Sequence, residues 1–185
     1  MIKVIAFDLV GVLATEKDIE LSEQEDKIER LFGPNKSDAD FLEKVRKILN
    51  KDSILMRVTE NLIEKLYEIK NKDVFRNIKF NYPDIKIIIA TNHVSYIRNF
   101  IGENLDVEHL DDVLISAEIH KIKPEKDFYE YILKKYKLNS NELLFIDDNI
   151  DNVTSAKELG INTIKVDKET KLFDEILAIL KTTNN

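Results

Sequence analysis

Two kinds of apolar pattern alternate along the chain, and they predict its elements. Lys3 to Phe7 (KVIAF) is a compact apolar run that ends in Asp8, with Gly11 close behind. Such a run suits a central parallel strand covered on both faces. Residues 15–76 are charged, keep a helical spacing of apolar positions and contain no expected strand. Ser22 with Glu25 makes a capping-box pattern before a helix reaching about Phe32, and Gly33-Pro34 stops it. Ser37 caps a second helix through Leu49, with Phe41, Leu42, Val45, Ile48 and Leu49 on one face. A third runs from about Ser53 to Ile69, carrying Ile54, Leu55, Val58, Leu62 and Leu66.

From Pro83 the period changes again. Ile85–Thr91 reads as a strand, followed by a helix to about Ile101 and a short strand over Val113–Ser116. A helix starts at Pro124 and continues to about Tyr136. Leu143–Asp148 is a buried strand, and the helix after it closes at Gly160. Asn162–Val166 is a last strand and Leu172–Leu180 a last helix, with a frayed tail over Thr182–Asn185. This alternation predicts an α/β fold with a doubly wound parallel sheet. Residues 1–14 and 77–185 form the expected core domain, and 15–76 an inserted helical unit.

The 185 residues suffice for one sizeable core and a small appended unit. The net charge of −7 argues against a broad nucleic-acid surface, which would be basic. It leaves room for a small anionic ligand, because one lysine and one metal ion reverse a local field. The chain has no cysteine, which excludes thiolate catalysis, disulfides and Cys-ligated zinc. Met1–Val10 carries Asp8 inside its apolar run and reads as a strand, not a signal peptide. No stretch approaches the roughly 18 apolar residues of a membrane span. The expected setting is the cytoplasm.

In an open parallel sheet, ligands bind beyond the carboxyl ends of the strands. Asp8, Thr91-Asn92 and Asp147-Asp148 stand at such ends, and Lys123-Pro124 lies in a loop just after another strand. Each has an ordinary reading alone. Asp8 satisfies backbone N–H groups in a turn, Thr91 or Asn92 caps a helix, and Lys123 is a solvated surface lysine. Adjacent acids ending so apolar a strand repel unless something positive holds them. A divalent, oxygen-seeking cation is the natural partner.

Together these segments resemble the motifs of the haloacid dehalogenase-like hydrolases. The resemblance covers the first fourteen residues and about 84–166, through FDLVGVL (Phe7–Leu13), ATN (Ala90–Asn92), SAEIHKIKP (Ser116–Pro124) and FIDDNIDNVTSAKELG (Phe145–Gly160). It implies a Rossmann-like core with 15–76 as a small helical cap. It also implies that Asp8 is a nucleophile forming an aspartyl phosphate, and that Asp8, the Val10 carbonyl, Asp147 and Asp148 hold Mg²⁺. Thr91, the Asn92 backbone N–H and Lys123 would hold the phosphoryl group. The implied function is that of a magnesium-dependent phosphatase of a small phosphorylated metabolite, such as a sugar phosphate. The charge and the lack of an apolar span lead to the expectation of no nucleic-acid or membrane partner, and the chain is expected to be a monomer or homodimer.

One position departs from the family pattern. Phosphatases of this kind carry a second Asp two residues after the nucleophile, and here Val10 stands there. General acid–base catalysis is worth roughly 10²–10⁴-fold, about 3–5 kcal/mol of barrier, so slow turnover is expected. Glu16, Asp18, His93 and His120 are the candidate substitutes, each with a plain structural reading beside it. His109 reads as a surface residue. The alternatives are a 2-haloacid-type dehalogenase, which needs no acid pair, and a non-catalytic phospho-ligand-binding protein.

Overall fold

The structure is a computed structural model describing residues 1–49 and 54–183. The chain opens with β1 (Val4–Phe7) and β2 (Ala14–Glu16), then helices α1 (Glu23–Glu29), α2 (Asp38–Leu49) and α3 (Leu55–Leu66). Next come β3 (Tyr67–Ile69), α4 (Val74–Asn81), β4 (Lys86–Thr91), α5 (Ile97–Asn104), β5 (Asp112–Ile115) and α6 (Ser116–Ile119). The last elements are α7 (Lys126–Tyr136), β6 (Leu143–Asp147), α8 (Ile150–Glu158), β7 (Asn162–Lys165) and α9 (Leu172–Thr183).

Five strands form a parallel sheet in the order β5-β4-β1-β6-β7. All four residues of β1 are buried, as its unbroken apolar run requires. Ile5 and Phe7 join one core layer with Ile87, Ile89, Leu144 and Ile146. Val4 and Ala6 face the opposite layer with Phe128, Tyr129 and Phe145. Register places the chemistry: Phe7 lies opposite both Ile89 and Ile146, so the carboxyl ends of β1, β4 and β6 meet at one edge. Among the described residues no helix is long and apolar enough to cross a membrane.

The inserted block folds into the three expected helices. Ser22 and Glu25 form the capping box, and the Ser37 hydroxyl accepts from the Asp40 N–H. Ser53, the expected start of the third helix, lies outside the described residues. That helix stops at Leu66, and Tyr67–Ile69 leave it to pair antiparallel with Ala14–Glu16. The block was expected to hold no strand, and this hairpin corrects that. Buried Tyr67 and half-buried Ile69 flank exposed Glu68, a spacing too short to betray a strand. Its partner lies far away in the sequence, so long-range pairing decides.

Helix α4 was not anticipated. It spans the expected 76/77 boundary and packs Phe75 on Phe7, with ring centroids 5.5 Å apart. Helix α6 separates β5 from Lys123, and α7 begins two residues after Pro124. Helix α9 takes in Thr182 and Thr183, expected to fray, through hydroxyl bonds to the Ala178 and Ile179 carbonyls. Asn184 and Asn185 lie outside the described residues.

Candidate active site

Asp8 extends the β1–β6 pairing by one bond, donating its N–H to the Ile146 carbonyl at 2.8 Å. Its carboxylate accepts from the Leu9 N–H at 2.8 Å and from the Lys123 ammonium at 2.9 Å. The same ammonium reaches Asp147 at 2.7 Å and sits 5.6 Å from the centre of the Phe145 ring. Asp147 also accepts from the Asn149 N–H at 2.8 Å, and from the Asn152 amide at 3.0 and 3.1 Å. Lys123 is therefore a buried bridge between two acids, not the solvated lysine its charge alone suggests.

The loop carrying Lys123 is fixed from β4. The Asn92 amide donates to the Lys123 carbonyl and accepts from the Lys123 N–H, both at 2.9 Å. Thr91 ends β4 and is buried beside it. These brackets by Asn92 and Asn152 were not foreseen as such, since nothing in a lone asparagine signals an amide bracket.

Carboxylate oxygens of Asp8, Asp147 and Asp148 lie within 4.8 Å of one another. Gly11 makes this approach possible: its φ is +90°, and a Cβ there would lie 2.2 Å from the Asp148 carboxyl carbon. Among the described residues the carbonyl of Val10 accepts no hydrogen bond. Three carboxylates and a free carbonyl against one ammonium make an oxygen-only, electron-rich set that fits Mg²⁺.

Titration follows the same forces. Burial, and secondarily the Asp147 charge, push Asp8 up to about 6 against the pull of Lys123. Asp148 is raised too, by burial and then by Asp147. Burial opposes the Lys123 ammonium, but Asp8 and Asp147 outweigh it and hold its pKa above the ordinary value.

The candidate proton donors stand elsewhere. Buried His93 meets Val94 through Nδ1, 3.0 Å from its backbone nitrogen and 3.3 Å from its carbonyl oxygen, and Nε2 lies 3.3 Å from the Tyr67 hydroxyl oxygen. Its ring stacks on Phe32, and burial depresses its pKa to about 4. His120 is exposed, holds a left-handed φ of 58°, and meets the Lys36 carbonyl at 2.7 Å. His109 pairs with Asp106 at 2.9 Å and is partly buried. Glu16 and Asp18 are exposed. None of the three histidines is hydrogen-bonded to Asp8, Asp147 or Asp148.

The inserted block presses on these loops. A Cβ on Gly33 would lie 2.6 Å from the Asn92 carbonyl oxygen. Asp38 accepts from the Ser95 N–H at 2.8 Å, and Lys36 pairs with Glu125 at 2.7 Å.

Known proteins share this fold. A predicted HAD-like family hydrolase from Porphyromonas gingivalis superposes with a TM-score of 0.76 at 22% identity, covering 98% of each chain. A HAD family enzyme from Bacteroides thetaiotaomicron, solved with magnesium and inorganic phosphate, superposes with a TM-score of 0.73 at 20% identity, covering 95% of this chain and 99% of that one. Glyceraldehyde 3-phosphate phosphatase of Methanocaldococcus jannaschii is 37% identical over 57 residues, 30% of this chain and 25% of that protein. The chain spans about a tenth to a third of the length of the curated relatives it matches. The family model for haloacid dehalogenase-like hydrolases matches residues 5–166, and the chain belongs to that family.

Proposed function

We propose that this chain is a magnesium-dependent phosphatase of a small phosphorylated metabolite, working through an aspartyl phosphate on Asp8. One observation carries the reading: Lys123 bridges Asp8 and Asp147 while Asp148 closes the oxygen cluster within 4.8 Å. The acid pair weighs against a dehalogenase, and the presence of Asp8, Lys123 and both acids together opposes a ligand-only site. The relatives that act on glyceraldehyde 3-phosphate or hold magnesium and phosphate support the same choice.

Asp8, the Val10 carbonyl, Asp147 and Asp148 would hold the ion, which would supply positive charge for the phosphate oxygens. An Asp8 oxygen attacks phosphorus in line; its new P–O bond forms as the bond to the leaving oxygen breaks. Lys123 orients that carboxylate and balances its charge. Thr91 and the Asn92 N–H hold phosphoryl oxygens. Water then attacks phosphorus, inorganic phosphate departs, and the Asp8 carboxylate is restored.

Val10 brings no proton to the leaving oxygen. Substrates that leave readily, such as anomeric sugar phosphates or acyl phosphates, suit this site; simple alkyl esters turn over slowly. A cytoplasmic setting is part of the proposal.

The test is phosphate release from a panel of sugar phosphates, acetyl phosphate and a chromogenic phosphate ester, with and without Mg²⁺. Metal-dependent release above an Asp8→Asn control is expected. Its absence across the panel, or halide release from 2-haloacids in chelator, overturns the reading.

A further inference from the structure

The loop after Asp8 turns sharply, and three of its carbonyls are held from outside. Leu9 accepts from the N–H groups of Leu13 and Ala14, both at 2.8 Å. The next carbonyl, Val10, accepts none among the described residues. The three that follow are all met by two consecutive residues. Lys70 gives its ammonium to Gly11 at 2.5 Å and its N–H to Leu13 at 2.9 Å, and the Asn71 amide donates to Val12 at 2.8 Å. Lys70 and Asn71 follow β3, where the chain returns from the inserted block. Lys70 also lines a cleft of about 290 Å³ shared with Asp148 and Lys165.

We propose that Lys70 and Asn71 are positioning residues that hold the 11–13 loop so that the Val10 carbonyl and Asp148 face one divalent cation. The inference rests on the metal-binding reading of the site given above. The Val10 carbonyl shares a rigid peptide plane with the Gly11 N–H, which donates to the Ala14 carbonyl at 2.8 Å, and the bonds from Lys70 and Asn71 to the next three carbonyls keep that loop in place. Gly11 then lies directly against the Asp148 carboxyl group, so a rotated loop would displace both oxygens. Groups that orient metal ligands from behind are worth about 10–100-fold in metal affinity.

Charge makes the test diagnostic. Lys70 is a cation beside a cation site, so its field alone opposes metal binding. Removing it should tighten binding if it acts only as a charge, and weaken binding if it positions the loop. The measurement is the dissociation constant for Mn²⁺ by electron paramagnetic resonance and for Mg²⁺ by calorimetry, on the full chain without substrate. Lys70→Met is expected to weaken both about tenfold. Lys70→Arg, which keeps a donor, should stay near wild type. Asn71→Gly changes no charge and tolerates the φ of 20° found at Asn71; it should weaken binding several-fold. In turnover, the Mg²⁺ concentration for half activity rises, while kcat and KM at saturating Mg²⁺ stay within about twofold of wild type. A purely structural role would lower the melting temperature and leave the metal constants in place. Should Lys70→Met fail to fold, Asn71→Gly carries the test. Wild type that binds metal with variants that bind equally or more tightly overturns the inference alone. Wild type that binds neither ion overturns the function reading and this inference with it.

Discussion

At the sheet edge, Lys123 is 2% exposed and its ammonium meets carboxylates at 2.9 and 2.7 Å. In the inserted block, Lys36 reaches Glu125 at a similar 2.7 Å, but both side chains are about half exposed. The distances match and the energetics do not. Water and salt screen the outer pair, which is worth about 0–1 kcal/mol. The inner pair is shielded, and each acid depends on the lysine to offset its desolvation. The sheet edge therefore depends on its buried lysine, while the Lys36–Glu125 pair adds little to seating the block, which Phe32 and Phe41 tie into the common core.

The largest expected effect strikes the inner region. Asp8→Asn removes the proposed nucleophile, and Mg²⁺-dependent phosphate release should fall by at least about 10⁴-fold. Residual activity above a tenth of wild type would break the assignment. Lys123→Met leaves Asp8 and Asp147 buried without their cation, and should destabilise the fold by about 3–5 kcal/mol in urea titration. A smaller loss, under about 1 kcal/mol, would place Lys123 on a par with Lys36 and erase the contrast.

His93 joins the two regions and gives a pH test. Its folded pKa of about 4 lies below the ordinary 6.5, so the unfolded chain binds the extra proton. The contribution is therefore complete above pH 6.5 and is lost as pH falls through 4. Shifts of this size amount to about 3 kcal/mol. His93→Gln should remove that part of the acid destabilisation when urea midpoints at pH 7 and pH 4 are compared. Identical pH dependence in both proteins would show that His93 is not held neutral. The smallest effect belongs to Lys36→Ala, below about 1 kcal/mol in stability. A shift in substrate KM with unchanged kcat would sharpen the view that the block's seating tunes access.

The same contrast governs what the sequence revealed. β1, β4 and β6 are unbroken apolar runs ending in Asp8, Thr91 and Asp147, so sheet and site could both be read locally. The β2–β3 hairpin could not, because Tyr67–Ile69 continue an acceptable helical pattern until a distant partner claims them. Helix α4 is short and straddles a change of pattern. Lys70 and Asn71 lie in a charged stretch, where a lysine and an asparagine carry no local mark of the carbonyls they meet. The left-handed φ of His120 explains why a flexible residue would also suit that position.

Strand order has a further consequence for how the protein is made. β1 is made before the other strands of the sheet yet sits at its centre, and its neighbours begin only at Lys86 and Leu143. Asp8 therefore waits without its lysine and without its partner acids until nearly the whole sheet has been synthesised. Contacts so distant in sequence form late and slowly. A cation that needs all three carboxylates recognises only the finished fold and stabilises it by mass action. Magnesium would then act as the last participant in folding as well as the first in catalysis.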